Sequence, residues 1–255
     1  FYLPNGTTSY GNLIISPLGG SNIIFANHDV LIYGTLTIKG QNADSWFLPT
    51  WEGRYPGSVL RVSKTITIMG NMDIQGGSFG WLGDNGGGSQ DLVVHGDIIV
   101  GENSGINVWS PNESQSVAIG GSLINNGNNR VNSGTVCRNY VNFNNVPVTF
   151  FGEGNAEVRT VSNNNGTDTQ GGGYDGNNPS GALAYSATIF GNVTVNKGTS
   201  QSTTLTFTGG TVSTPADNWL TLQNGTLSYQ LTNPRRVFTV STTTALTIPG
   251  TAGLE

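Results

Sequence analysis

Two aspartates and a nearby histidine are the residues whose types and spacing could carry catalysis. Asp73 and Asp97 occupy neighbouring copies of a repeated pattern, and His95 stands two positions before Asp97. A pair of carboxyl groups can cleave a glycosidic bond, one as an acid and the other as a base or nucleophile. Asp97 is also explained as a turn residue that hydrogen-bonds its own backbone, and Asp73 as a solvated surface residue. Both interpretations stay open from the sequence.

Other catalytic signatures are missing from the sequence. The chain has two histidines, His28 and His95, and one cysteine, Cys137, so no internal disulfide can form. No histidine pair has the spacing of zinc ligands, and no serine stands in a nucleophile elbow. The glycine-rich segment 86–89 lacks the lysine of a phosphate-binding loop. We therefore predict that the chain is not an enzyme, with a polysaccharide-cleaving enzyme that uses Asp73, Asp97 and His95 as the alternative.

A stretch rich in Asp, Asn and Gly is the one candidate for a metal. Asp168 and Asp175 lie in it, and carboxylate and amide oxygens are ligands that Ca²⁺ prefers. The spacing fits neither the EF-hand nor the calcium-binding nonapeptide repeat. We predict no cofactor, and calcium at Asp168 and Asp175 is the alternative.

Four aromatic residues cluster in one segment, and they are the predicted ligand-binding residues: Trp46, Phe47, Trp51 and Tyr55. Exposed aromatic rings can stack on sugar rings, so the segment could be a glycan-binding platform. The alternative is that Trp46 and Trp51 fold back and cover the flank of the domain as a satellite cluster.

A repeated pattern predicts the elements that position these residues. It reads apolar-x-apolar-x-Gly-x-apolar-x-apolar, and its clear copies are 30–38, 66–74, 92–100, 117–125 and 187–195. Weaker copies centre on Gly11 and on Asn139, where Asn replaces Gly. Several of the central glycines recur at intervals of about 25 residues, in the range of repeat proteins. Period-2 alternation places the apolar residues on one face of each strand, with the glycine between two short strands.

The repeat predicts an all-β fold, a single right-handed parallel β-helix in which each coil buries its apolar face against its neighbours. A jelly-roll or immunoglobulin-like sandwich is the alternative. We expect the following residues to point inward: Ile32, Leu36, Ile38, Ile66, Ile68, Ile74, Val94, Ile98, Ile119, Leu123, Ile189 and Val193.

Two regions are expected along the chain. Residues 1–198 carry the glycine-centred coils, with loop insertions at 41–60 and 159–184. Residues 199–255 are Thr-rich and are expected to continue the solenoid. Their Gly209-Gly210 and Asn224-Gly225 pairs would also suit hairpins.

Composition narrows the class of protein. The 255 residues include 38 Gly, only 10% are charged, and the formal net charge is −5. Few helix formers and many turn formers favour β structure over a helical bundle. The acidic balance argues against nucleic acid as a partner, and no apolar run is long enough to span a membrane. The chain begins at Phe1 without a signal peptide, so we expect it to be part of a longer polypeptide.

Three segments carry a resemblance to a known group of proteins: Phe190–Thr199, Gly121–Asn128 and Leu220–Leu227. These Gly/Asn/Thr-rich strings resemble the repeats of very large secreted surface proteins of Bacteroidetes, including gliding-motility-type adhesins exported by the type IX secretion system. Filamentous haemagglutinins and autotransporter passengers share the style. The resemblance implies an extracellular adhesin or stalk at the cell surface. Its partners would be the secretion machinery, further parts of the same chain and surface glycans.

Overall fold

The computed structural model describes most of the strands and the tight corners between them. The described residues are 3, 8–16, 23–25, 28–39, 46–48, 64–81, 90–101, 104–108, 115–126, 141–160, 188–210, 212–214, 218–231 and 246–255. Strands are the only regular elements in these ranges, and every strand pairing there is parallel. The strands form three ladders, and the chain visits the ladders in turn as it coils.

The first ladder begins each coil. Its members stack in chain order, each hydrogen-bonded to the strand one coil before it. They are β1 (Ser9–Tyr10), β4 (Val30–Ile32), β7 (Lys64–Ile68), β9 (Gln90–Val94), β12 (Gln115–Ile119), the last part of β14 (Val141–Gly152), the last part of β16 (Thr188–Lys197) and the first part of β19 (Leu220–Leu231).

The second ladder follows after a tight corner. Its strands also pair one coil at a time. They are β2 (Leu13–Ile15), β5 (Leu36–Lys39), the first part of β8 (Met72–Trp81), β10 (Ile98–Val100), β13 (Leu123–Asn125), β15 (Ala156–Thr160), β17 (Thr204–Gly209), the last part of β19 and β20 (Ala252–Leu254).

The third ladder closes each coil. It consists of β3 (Ile23–Phe25), β6 (Trp46–Leu48), the last part of β8, β11 (Ser104–Val108), the first parts of β14 and β16, and β18 (Val212–Ser213). Three parallel ladders visited in a fixed order form a parallel β-helix, so the predicted fold is confirmed. The ladders continue past residue 199, and Gly209 and Asn224-Gly225 lie within or at the ends of parallel strands instead of in hairpins.

The core is one continuous column inside the coils. All of the residues predicted to point inward are buried except Ile189. Ile189 is half-buried, and its neighbours Thr188 and Phe190 point inward instead. The prediction failed there because β16 runs from the third ladder into the first, so Gly191 lies at a different corner from the other central glycines.

The core changes from aliphatic to aromatic along the β-helix. The first coils bury mainly Ile, Leu and Val, whereas the later coils bury a series of rings. Phe190 stacks on Phe143 with ring centroids 6.1 Å apart and on Phe207 at 5.8 Å. Trp219 extends the stack, with its ring 6.4 Å from Phe207. Aromatic rings on successive coils therefore fill the interior of the C-terminal half.

Three local predictions were wrong in position. Val141 and Phe143 were expected to follow a corner at Asn139, but they lie on the third ladder, and the next second-ladder strand is β15. Asn139 itself lies outside the described residues. The insertion predicted over 41–60 contains β6, and the one predicted over 159–184 begins too early, because Arg159 and Thr160 belong to β15. Alternation identifies a strand but does not tell which ladder it joins.

Candidate functional site

The turn from the first ladder to the second, which we call the first corner, is built on a column of glycines. The Gly96 N–H donates to the Gly70 carbonyl at 3.0 Å, and the Gly121 N–H donates to the Gly96 carbonyl at 2.9 Å. A Cβ on Gly96 would lie 2.7 Å from the Gly70 carbonyl oxygen, closer than side chains pack. Glycine is required here because the backbones of adjacent coils nearly touch.

A second column at the first corner consists of polar side chains. The residue after Gly70, Gly96 or Gly121 accepts a backbone N–H from the coil that follows it. Asn71 Oδ1 accepts from Asp97 N at 2.9 Å, Asp97 Oδ1 from Ser122 N at 2.7 Å, and Ser122 Oγ from Glu157 N at 3.0 Å. Asp97 is therefore a turn residue, but it bonds the backbone of the next coil and not its own.

Asp73 lies on the outer side of the second ladder, in β8. Its Oδ2 accepts a hydrogen bond from Gln75 Nε2 at 2.6 Å. Met72 pairs with Ile98, so Asp73 and Asp97 lie on neighbouring coils and are offset by two residues along the strand direction. The repeat predicted this placement on neighbouring coils.

His95 lies on the outside of the first corner and is exposed. Its ring packs against that of Phe151 in a T-shaped arrangement, with ring centroids 5.3 Å apart and the ring planes perpendicular. Register aligns Phe151 with Gly120, since Phe150 pairs with Ile119. The two rings meet across a coil whose residue at this position is a glycine without a side chain.

Lys197 is the residue at this corner that the sequence analysis missed. Its side chain is buried, and the ammonium Nζ donates to the Phe151 carbonyl at 2.6 Å and to the Gly120 carbonyl at 2.7 Å. Lys197 thus connects three successive coils. In register, the corner between β14 and β15 is longer than the glycine corners before it. The ammonium of Lys197 donates to the Phe151 and Gly120 carbonyls beside this corner, and buried carbonyls need such partners.

The charges around Lys197 form a small cluster. Burial lowers the pKa of Lys197 because the ammonium loses solvation, and the negative charges of Asp97 and Glu153 partly oppose that shift. The structure therefore brings an ammonium into electrostatic range of two carboxylates, with His95 and Phe151 on the same corner. The sequence carried no signal for this grouping, because Lys197 ends an ordinary alternating strand and Glu153 stands in a turn.

The predicted aromatic platform is only partly described. Trp46 and Phe47 lie in β6, where Trp46 pairs with Ile23 and Ser78, and Phe47 pairs with Ile24 and Phe79. They are thus part of a coil strand and not of a loop, since aromatic residues favour β structure. Trp51 and Tyr55 lie outside the described residues.

The metal candidates Asp168 and Asp175 also lie outside the described residues. Among the residues that are described, no group of three or more His, Cys, Asp or Glu side chains could hold a metal ion. Within the same ranges the structure has no helix whose length and apolar character would allow it to cross a membrane.

Comparison with known proteins gives no relative. No family model, no curated protein and no solved structure matches the chain.

Proposed function

We propose that the chain is a segment of an extracellular cell-surface protein, in which the β-helix is a stalk that holds an adhesive surface away from the cell. The observation that supports it is the first corner. There the glycine column and the polar column add hydrogen bonds between successive coils at the same position, from Gly70 to Ser122. Such a stack extends by repetition, each coil contacting its neighbours, which suits a long and stiff spacer.

The composition agrees with a surface role. Only 10% of the residues are charged, and 38 of the 255 are Gly. In this proposal the partners are the secretion machinery, further parts of the same longer chain and surface glycans. The resemblance to large secreted surface proteins of Bacteroidetes is consistent with this role.

Surface labelling tests the proposal. Antibodies raised against the 255-residue chain should stain intact cells of the source organism, and external protease should remove the stain. Immunoblotting of the same cells should detect a polypeptide larger than 26.7 kDa. Staining only after the cells are permeabilised would contradict the proposal.

A polysaccharide-cleaving enzyme is the second candidate, and the charge cluster at the first corner favours it. Asp97 and Glu153 both act electrostatically on the Lys197 ammonium, and a carboxylic acid and a neighbouring base are the groups that glycoside cleavage uses. Release of reducing sugar or of unsaturated product from neutral and acidic polysaccharides would reveal it. Activity that survives Asp97→Asn and Glu153→Gln would show that these carboxylates are not its catalytic residues.

A further inference from the structure

A line of aromatic and apolar side chains, three of them exposed and Phe151 half-buried, runs along the outside of the first corner. We call it the corner strip: Tyr33, Met69, His95 and Phe151. Each of the first three donates its backbone N–H to a carbonyl one coil earlier: Tyr33 to Tyr10, Met69 to Ile32 and His95 to Ile68. Tyr33, Met69 and His95 therefore occupy the same position on successive coils. Because coils stack about 4.8 Å apart, the strip runs parallel to the long axis of the β-helix.

The exposure of this strip is unusual for such side chains. Tyr33 is 65% exposed and Met69 is 44% exposed, on adjacent coils, and His95 on the next coil is exposed as well. Leaving large apolar side chains in water forgoes the free energy of burying them. Contiguous exposed apolar surface is a mark of binding sites.

The surroundings of the strip favour a flat ligand without negative charge. Beside the strip lie the corner glycines, which carry no side chains that would block a ligand. On its other side, two positions earlier in each strand, the half-buried outward residues are uncharged: Leu31, Thr67, Val93, Ala118 and Thr149. Asp97 and Glu153 stand two positions after His95 and Phe151, and their carboxylates would repel an anion while accepting hydrogen bonds from hydroxyl groups.

From this geometry we infer that the corner strip binds a neutral polysaccharide lying along the β-helix axis. A sugar ring presents C–H groups on its faces and hydroxyl groups at its edges. The faces would pack on Tyr33, Met69, His95 and Phe151, as amphipathic ligands pack on aromatic rings, and the edges would hydrogen-bond the carboxylates and corner backbone. The inference names the ligand class of the proposed adhesin and so rests on that proposed function.

Co-sedimentation with insoluble glycans tests the strip. The probes are cellulose, chitin and starch granules as neutral polysaccharides, with calcium alginate and calcium polygalacturonate gels as acidic ones. The intact chain should be retained by at least one neutral probe and not by the acidic gels. The double variant Tyr33→Ala/Met69→Ala should bind that probe about tenfold more weakly, since two apolar contacts are lost.

Ile14→Ala is the matched control, because Ile14 is 62% exposed but lies on the outer face of the second ladder. It should bind like the unaltered chain, and all three proteins should unfold at the same temperature. The inference is overturned if no neutral probe retains the chain, if the double variant binds equally well, or if an acidic gel binds most strongly. It is also overturned if the strip mediates dimerisation, which sedimentation velocity would detect as a dimer that the double variant loses.

The two proposals fail in different experiments. Stained intact cells together with no glycan retention would leave the surface role standing and overturn the strip. Glycan retention that depends on the strip, with no staining of intact cells, would overturn the surface role and leave the binding site standing.

Discussion

Asp97 and Ser122 lie on neighbouring coils and are joined by a hydrogen bond of 2.7 Å, from the Ser122 backbone N–H to Asp97 Oδ1. The bond belongs to a column in which Asn71 performs the same role for Asp97 itself. Asn71, Asp97 and Ser122 therefore occupy one structural position on successive coils, and what they share is an acceptor oxygen. This relationship gives the aspartate a structural role that is independent of any catalysis.

Substitutions at Asp97 separate the structural role from a catalytic one. Asp97→Asn keeps an acceptor oxygen for Ser122 and should lower the free energy of unfolding by less than about 1 kcal/mol. Asp97→Ala leaves the Ser122 N–H without this partner and should lower it by about 1–3 kcal/mol. Denaturant unfolding monitored by circular dichroism checks both values. Equal losses in the two variants would show that the acceptor oxygen does not matter.

A methyl group at the glycine column should also destabilise the β-helix. In Gly96→Ala the new Cβ would meet the Gly70 carbonyl oxygen and Asn71 Oδ1. Relieving the overlap should lower the free energy of unfolding by about 1–3 kcal/mol. Gly11→Ala is the matched control, since Gly11 occupies the same column in the first coil and a Cβ there meets nothing within 4 Å. Similar thermal unfolding temperatures for the two variants would contradict the close-approach explanation.

The sequence predicted the coils well where each strand stays on one ladder. The segments 30–38 and 92–100 alternate about a glycine, and the apolar residues at their alternate positions are buried as expected. The prediction failed where a strand continues around a corner, as at Ile189, because alternation carries no information about direction changes. Lys197 could not be placed either. Its partner Gly120 lies 77 residues earlier, and only the stacking of coils brings the two together.

The aromatic stack should make a large contribution to the stability of the C-terminal half. Phe190 is fully buried between Phe143 and Phe207. Phe190→Ala leaves a cavity in the middle of the stack and should lower the free energy of unfolding by about 3–5 kcal/mol. Ile189→Ala removes a half-buried side chain at the preceding position and should lower the free energy of unfolding by less than about 1.5 kcal/mol. A smaller effect at Phe190 than at Ile189 in denaturant unfolding would contradict the assigned strand orientation.

Lys197 should give the folded protein a distinctive response to alkali. Because burial lowers its pKa below 10.5 in the folded state, the unfolded chain binds more protons between the folded pKa and 10.5. The free energy of unfolding should therefore rise with pH through that window as this residue titrates, since the folded state is then relieved of a buried charge. Lys197→Met removes the titrating group and should abolish this rise.

Tyr229 titrates in the opposite sense and must be removed to isolate the Lys197 signal. Burial raises the pKa of Tyr229 to about 12, whereas the pKa of a tyrosine in the unfolded chain is about 10. The unfolded state then loses protons first, so stability falls as pH rises above about 10. We therefore expect Tyr229→Phe to show the Lys197-dependent rise most clearly, and Tyr229→Phe/Lys197→Met to lack it. The measurement is urea unfolding at pH values from about 7 to 11, spaced about one pH unit apart. A rise of equal size in both variants would show that another group is responsible.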